Sequence, residues 1–162
     1  MKRLTFVAEN LDDTDRLAGV LAACLPPGTT VALCGTLGSG KTRLVQGLAA
    51  ACGVPRENVV SPTFVLCTEY EGRRTIYHLD AYRLKTSHEF QQLGPEEYFE
   101  SGGLTLIEWA DRVLDCLPSE RLEVHIEVLG DSRRRFVLVA EGARCQAVLG
   151  EIAAQLGTPP TE

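Results

Sequence analysis

Thr30-Val31-Ala32-Leu33-Cys34-Gly35-Thr36-Leu37-Gly38-Ser39-Gly40-Lys41-Thr42 carries the strongest architectural signal in the chain. Its first five residues form a short, almost unbroken apolar run, the pattern of a strand covered on both faces. The next eight match G-x-x-x-x-G-K-[ST] in full. Glycine permits backbone conformations that a Cβ forbids, so Gly35, Gly38 and Gly40 let N–H groups turn inward on an anion. Thr36, Leu37 and Ser39 supply the remaining amides. Lys41 adds a cation for the β and γ phosphates, and Thr42 a hydroxyl for a magnesium ion. After Lys41, the spacing of Leu44, Val45, Leu48 and Ala49 predicts an amphipathic helix whose positive dipole end faces the same anion. Gly53 and Pro55 close it.

Outward from this loop, strands and helices alternate. Upstream, Leu4, Phe6 and Ala8 alternate as a strand, and Asp12 or Asp13 caps a helix carrying Leu17, Val20, Leu21, Cys24 and Leu25. Downstream, the segments 64–70 and 75–79 form a hairpin turning at Glu71-Gly72-Arg73. A short helix capped by Thr86 or Ser87 follows, and Pro95 opens another. Leu104-Thr105-Leu106-Ile107 is a second buried strand, and Trp109 to Leu117 is predicted as a helix ending at Pro118. Segments 122–129 and 136–140 make a second hairpin around Gly130-Asp131, and 144–156 a closing helix. This order predicts an α/β fold, a P-loop NTPase-like three-layer sandwich with a largely parallel central sheet plus antiparallel hairpins. Residues 1–156 are expected to form one domain, and 157–162 a frayed tail.

With 162 residues, 44% of them apolar, the chain can bury one core. Its 22 acidic against 16 basic side chains give a net charge of −6, which argues against a general binder of nucleic acid or anionic membrane. No apolar stretch approaches the ~18 residues of a membrane helix. The opening residues Met1 to Asp13 turn acidic before a signal-peptide core forms, so a cytoplasmic location is expected. The six cysteines show neither a CxxC pair nor zinc spacing and sit in apolar surroundings, as buried reduced thiols do.

Turnover of a bound nucleotide needs acids near the metal and a positioned water. In an open parallel sheet, such groups stand beyond the carboxyl ends of the strands. Two acids qualify: Glu108, ending Leu104-Thr105-Leu106-Ile107, and Asp80, ending Ile76-Tyr77-His78-Leu79. Either can serve magnesium or polarise water. Each can instead cap the element that follows, a reading stronger for Asp80, which precedes Ala81-Tyr82-Arg83, than for Glu108, whose strand is so apolar; His78 reads as a packed strand histidine. Lys41, Asp80 and Glu108 are therefore the catalytic candidates, and Thr42 with one of the two acids the candidate metal ligands. The chain has no Asn/Thr-Lys-x-Asp guanine-reading motif and no DxxG switch, which favours ATP over GTP. Arg133-Arg134-Arg135 has the composition of a kinase lid, but its place in a tight hairpin favours a solvated turn.

Gly35–Thr42, Ser61-Pro62-Thr63-Phe64, His78-Leu79-Asp80-Ala81-Tyr82-Arg83-Leu84 and Glu108-Trp109, in this order and spacing, resemble the TsaE (formerly YjeE) family of small bacterial ATPases. The resemblance runs from the first strand to the second hairpin; beyond Arg144 nothing is diagnostic. It implies a role in forming N6-threonylcarbamoyladenosine in tRNAs that read codons beginning with adenine. There an ATPase subunit with ATP/ADP and Mg2+ sustains a TsaD–TsaB transferase pair, meeting tRNA only through that complex. It further implies that Thr42 and Glu108 serve magnesium, that Asp80 lies near the nucleotide and is needed for hydrolysis, that Trp109 neighbours the site, and that Thr63 senses the γ-phosphate. Arg43 stands where the family often has a second Thr or Ser. Slow hydrolysis in isolation is expected, since no arginine finger is evident in cis; Arg83 is the least implausible internal candidate. Two other classes compete: a P-loop kinase acting on a small metabolite, and a module that binds ATP without cleaving it.

Overall fold

A computed structural model describes residues 2–62 and 66–161. Seven strands form one sheet in the order β1-β7-β6-β2-β5-β4-β3. They are β1 (Lys2–Ala8), β2 (Thr30–Gly35), β3 (Cys67–Glu71), β4 (Thr75–Asp80), β5 (Leu104–Glu108), β6 (Arg121–Val128) and β7 (Arg134–Glu141). The centre is parallel: β2 pairs with β5 and β6, and β4 with β5. Antiparallel pairs flank it at both edges, β3 on β4 and β7 between β1 and β6. The predicted α/β architecture with a parallel centre and antiparallel hairpins is the one found.

Side chains alternate across each strand, so the sheet serves two cores. Val31 and Leu33 of β2 and Leu104 and Leu106 of β5 face one way, onto α1 (Leu11–Cys24), α2 (Lys41–Ala51) and α5 (Ala143–Leu156). Ala32 and Cys34, with Leu79 of β4 and Ile107, face the other way. There they meet Phe90 of α3 (Ser87–Gln92), packed beside α4 (Glu96–Phe99). Burying each such Leu or Phe contributes about 1.5–3 kcal/mol.

Two local expectations are corrected. The cap of α1 is Asn10, not Asp12 or Asp13: its side chain accepts the Asp13 N–H at 2.9 Å, and Asp13 accepts the Glu9 N–H at 2.9 Å in return. Asp13 therefore sits inside the first turn, where an acid also suits the dipole. The predicted helix from Trp109 to Leu117 is instead two single 3-10 turns, Ala110–Arg112 and Leu114–Cys116. Val113 between them has φ −135°, which interrupts a continuous α-helix. Beyond α5, Thr161 exchanges two backbone hydrogen bonds of 2.7 Å with Arg3 on the edge of β1, in the stretch where the sequence predicts fraying. Among the described residues, no helix is long and apolar enough to cross a membrane.

Candidate active site

The site forms where β2, β4 and β5 all end. Parallel register aligns Leu33 with Glu108 and Asp80 with Glu108, so both acids reach the same rim as the glycine loop. Period-two alternation decides which way they point. Glu108 shares a face with Leu104 and Leu106, and Asp80 with His78 and Ile76, and that face is the one covered by α2. Thr42, on the first turn of α2, consequently meets Glu108: its hydroxyl lies 2.9 Å from each carboxylate oxygen.

The loop needs its glycines for measurable reasons. Gly40, at the cap of α2, has φ 108°. A Cβ on Gly35 would lie 2.5 Å from Ser39 Oγ and 3.0 Å from the Ile126 carbonyl. Lys41 is 4% exposed and folds back over the loop, donating to the Gly35 carbonyl at 2.7 Å and to Thr36 at 3.0 Å. The Trp109 ring lies 3.7 Å from its Nζ, held there by a left-handed backbone (φ 57°) that costs strain in a non-glycine residue. Burial pushes the Lys41 ammonium below its usual pKa, while the nearby charges of Glu108, Asp111 and Asp80 pull it back up.

Asp80 is buried and accepts from Ser61 Oγ at 2.8 Å and from the Tyr82 N–H at 2.8 Å. The second bond is the turn-capping role an acid at a strand end invites; the first joins Asp80 to the Ser61-Pro62 motif. Lys41, Thr42, Ser61, Asp80, Glu108 and Trp109, with Leu37 to Gly40, line one cavity of about 410 Å³. Gly35 and Thr36 line a second, of about 450 Å³, walled also by Trp109, Asp111, His125, Glu127 and Val137. Thr63 lies outside the described residues. Arg43, at the cavity rim, donates to Asp15 of α1 at 2.8 Å.

Three side chains that sequence reasoning left out of the site belong to its surroundings. His78, fully buried, sets Nε2 2.5 Å from Glu108 Oε2. Tyr70 Oη lies 3.1 Å from His78 Nδ1 and 3.4 Å from the Val60 carbonyl, so a chain of polar groups, buried as far as Tyr70, runs from Glu108 to the exposed residue preceding Ser61. The signal for His78 was present in the alternation that sets it beside Asp80 and one strand from Glu108. The third is Arg134. The arginine run is not one solvated turn: Arg133 and Arg135 pair with Glu9 and Glu127, while Arg134 donates to the Ser39 carbonyl at 2.8 Å.

Among the described residues, no cluster of three or more His, Cys, Asp and Glu side chains forms a metal cage. A hydroxyl beside a carboxylate suits magnesium all the same, because that ion keeps several waters and shares itself with phosphate oxygens.

Fold and site together define an open α/β protein with a glycine-rich strand–loop–helix at its centre and two strand-end carboxylates beside the loop. Comparison with known proteins narrows this class. Residues 8–136 match the family described as "Threonylcarbamoyl adenosine biosynthesis protein TsaE". The chain is 38% identical over 154 residues to the tRNA threonylcarbamoyladenosine biosynthesis protein TsaE of Bacillus subtilis, covering 94% of this chain and 96% of that one. It is 45% identical over 122 residues to the Synechocystis protein of the same name, covering 72% and 76%. The crystal structure of Bacillus subtilis YdiB superposes with a TM-score of 0.79 at 33% identity, over 95% of this chain and 97% of that one. The chain belongs to the TsaE family.

Proposed function

We propose that this chain is a magnesium-dependent ATP-binding and hydrolysing subunit in the formation of N6-threonylcarbamoyladenosine in tRNA, working with a TsaD–TsaB type transferase pair. The observation that carries the ATPase part is the Thr42 hydroxyl lying 2.9 Å from both oxygens of a buried strand-end carboxylate, Glu108. The pathway part rests on family membership.

In this reading the amides of residues 35–42 and the Lys41 ammonium bind the β and γ phosphates, and the second cavity is the room available to the nucleoside. Lys41 exchanges its carbonyl partners Gly35 and Thr36 for phosphate oxygens. Thr42 and Glu108 hold the metal, which when bound neutralises charge on the polyphosphate. His78 keeps Glu108 turned toward Thr42. Asp80, tied to Ser61, orients the attacking water, and Trp109 shields Lys41 from solvent. The acidic balance of the chain fits a subunit that leaves tRNA to its partners.

The test is phosphate release from Mg·ATP by the purified chain, alone and with purified TsaD and TsaB type proteins, together with a pull-down. Slow release of free phosphate, association with the pair and stimulation by it are expected. If neither association nor stimulation were observed, the pathway assignment would fall while the nucleotide site stood, and ADP release that depends on a small acceptor would favour a kinase.

A further inference from the structure

Arg134 opens β7 at the rim where β2 ends, because β6 runs parallel to β2 and delivers the 129–133 turn to that rim. Its guanidinium divides between two segments. Nη1 donates to the turn carbonyls of Gly130 at 2.6 Å, Arg133 at 3.0 Å and Asp131 at 3.3 Å. Nε donates to the Ser39 carbonyl at 2.8 Å, and Nη2 reaches the Gly38 carbonyl at 3.4 Å. One planar fork thus bridges the hairpin and the glycine loop. The two arginines beside it are spent on Glu9 and Glu127.

The peptide units it grips are the ones that matter for an anion. In a trans peptide the C=O and N–H point in opposite directions, and among the described residues no peptide is cis. Drawing the Gly38 and Ser39 carbonyls toward Arg134 therefore turns the N–H groups of Ser39 and Gly40 away from it. The Ser39 N–H closes a turn onto the Thr36 carbonyl at 3.0 Å, leaving the Gly40 amide as the one whose aim, away from Arg134, this grip fixes. Gly40 holds φ 108°, a conformation glycine reaches easily and leaves easily, so an external restraint on its neighbour has something to restrain.

We propose that Arg134 is a positioning residue for the phosphate loop: its fork holds the outer carbonyls of Gly38 and Ser39 so that the loop is already shaped for a polyphosphate before one arrives. The proposal rests on the nucleotide reading above. It requires the geometry of a guanidinium and not only its charge, since a lysine at this position supplies a cation but no planar pair of donors.

Calorimetric titration of Mg·ATP into the wild-type chain, Arg134→Ala and Arg134→Lys, with thermal unfolding of each free protein, separates the possibilities. The expected result is affinity about tenfold weaker in both variants, equivalent to about 1.4 kcal/mol, with the melting temperature of Arg134→Lys within a few degrees of wild type. Wild-type affinity in Arg134→Lys would show that charge alone suffices and overturn the proposal. Wild-type affinity in Arg134→Ala would show that the residue serves only its hairpin and overturn it equally. If Arg134→Ala fails to fold, Arg134→Lys decides. A wild-type chain that binds no nucleotide contradicts the reading of the site itself, whereas binding by wild type with no loss in the variants overturns Arg134 alone.

Discussion

At the residue scale, the proposed chemistry turns on Glu108. Its carboxylate is 2% exposed and sits between the Thr42 hydroxyl and the His78 imidazole. Glu108→Gln keeps the volume but removes the charge that a metal or a water would use. Phosphate release in a single turnover should fall about 10²- to 10⁴-fold while Mg·ATP stays bound, because groups of this kind contribute that much to rate; retained turnover would assign the chemistry elsewhere. Burial gives a second prediction, on the strand that leads into the loop. Cys34, which lines the second cavity and packs in the core on the opposite side of the sheet from α2, has its thiol pushed up to about 12 by desolvation first and then by the charges of Asp111 and Glu123. The unfolded chain ionises this thiol near the ordinary 9.0 and the folded one does not, so the folded state loses relative stability as pH rises from 9 toward 12. The same shift leaves Cys34 without thiolate at neutral pH, and alkylation by iodoacetamide at pH 7.5 should spare it in the native protein and label it in urea.

At the element scale, the glycine loop with its strand and helix was legible in the sequence because its residue types are set by local geometry. The strands β2 and β5 were legible because a strand buried on both faces needs a short, nearly unbroken apolar run. The segment after Glu108 was not. Ala110, Val113, Leu114 and Leu117 have a spacing that an α-helix and a pair of 3-10 turns satisfy alike, and only the break at Val113 distinguishes them. The cap of α1 was displaced by two or three residues because Asp12 and Asp13 are good caps by composition, while the reciprocal bonds of Asn10 and Asp13 depend on where the chain leaves β1. Asn10→Ala should cost about 1 kcal/mol, lowering the melting temperature by about 2–4 °C, measurable by circular dichroism. No loss would mean that α1 is held by its packing alone. Arg134 was illegible for a related reason: its role exists only once the β6–β7 turn has been brought beside the loop.

Across the whole molecule, one sheet separates two apolar layers and collects its functional ends at one rim. Leu106 is 1% exposed and lies in the core beneath α2, so Leu106→Ala should destabilise the fold by about 2–5 kcal/mol. It should also loosen the strand that carries Glu108, which urea unfolding and Mg·ATP affinity measured together would reveal. The tail meets β1 through the two backbone hydrogen bonds between Thr161 and Arg3. The central claim is that residues 35–42, with Glu108 across from Thr42, grip a magnesium-bound nucleoside triphosphate. Calorimetric titration of ATP in the presence and absence of magnesium, into the wild-type chain and Lys41→Ala, tests it most directly. Saturable binding at one site per chain, strengthened by magnesium and abolished by Lys41→Ala, is the predicted result; no binding by wild type, or equal binding by Lys41→Ala, would contradict it.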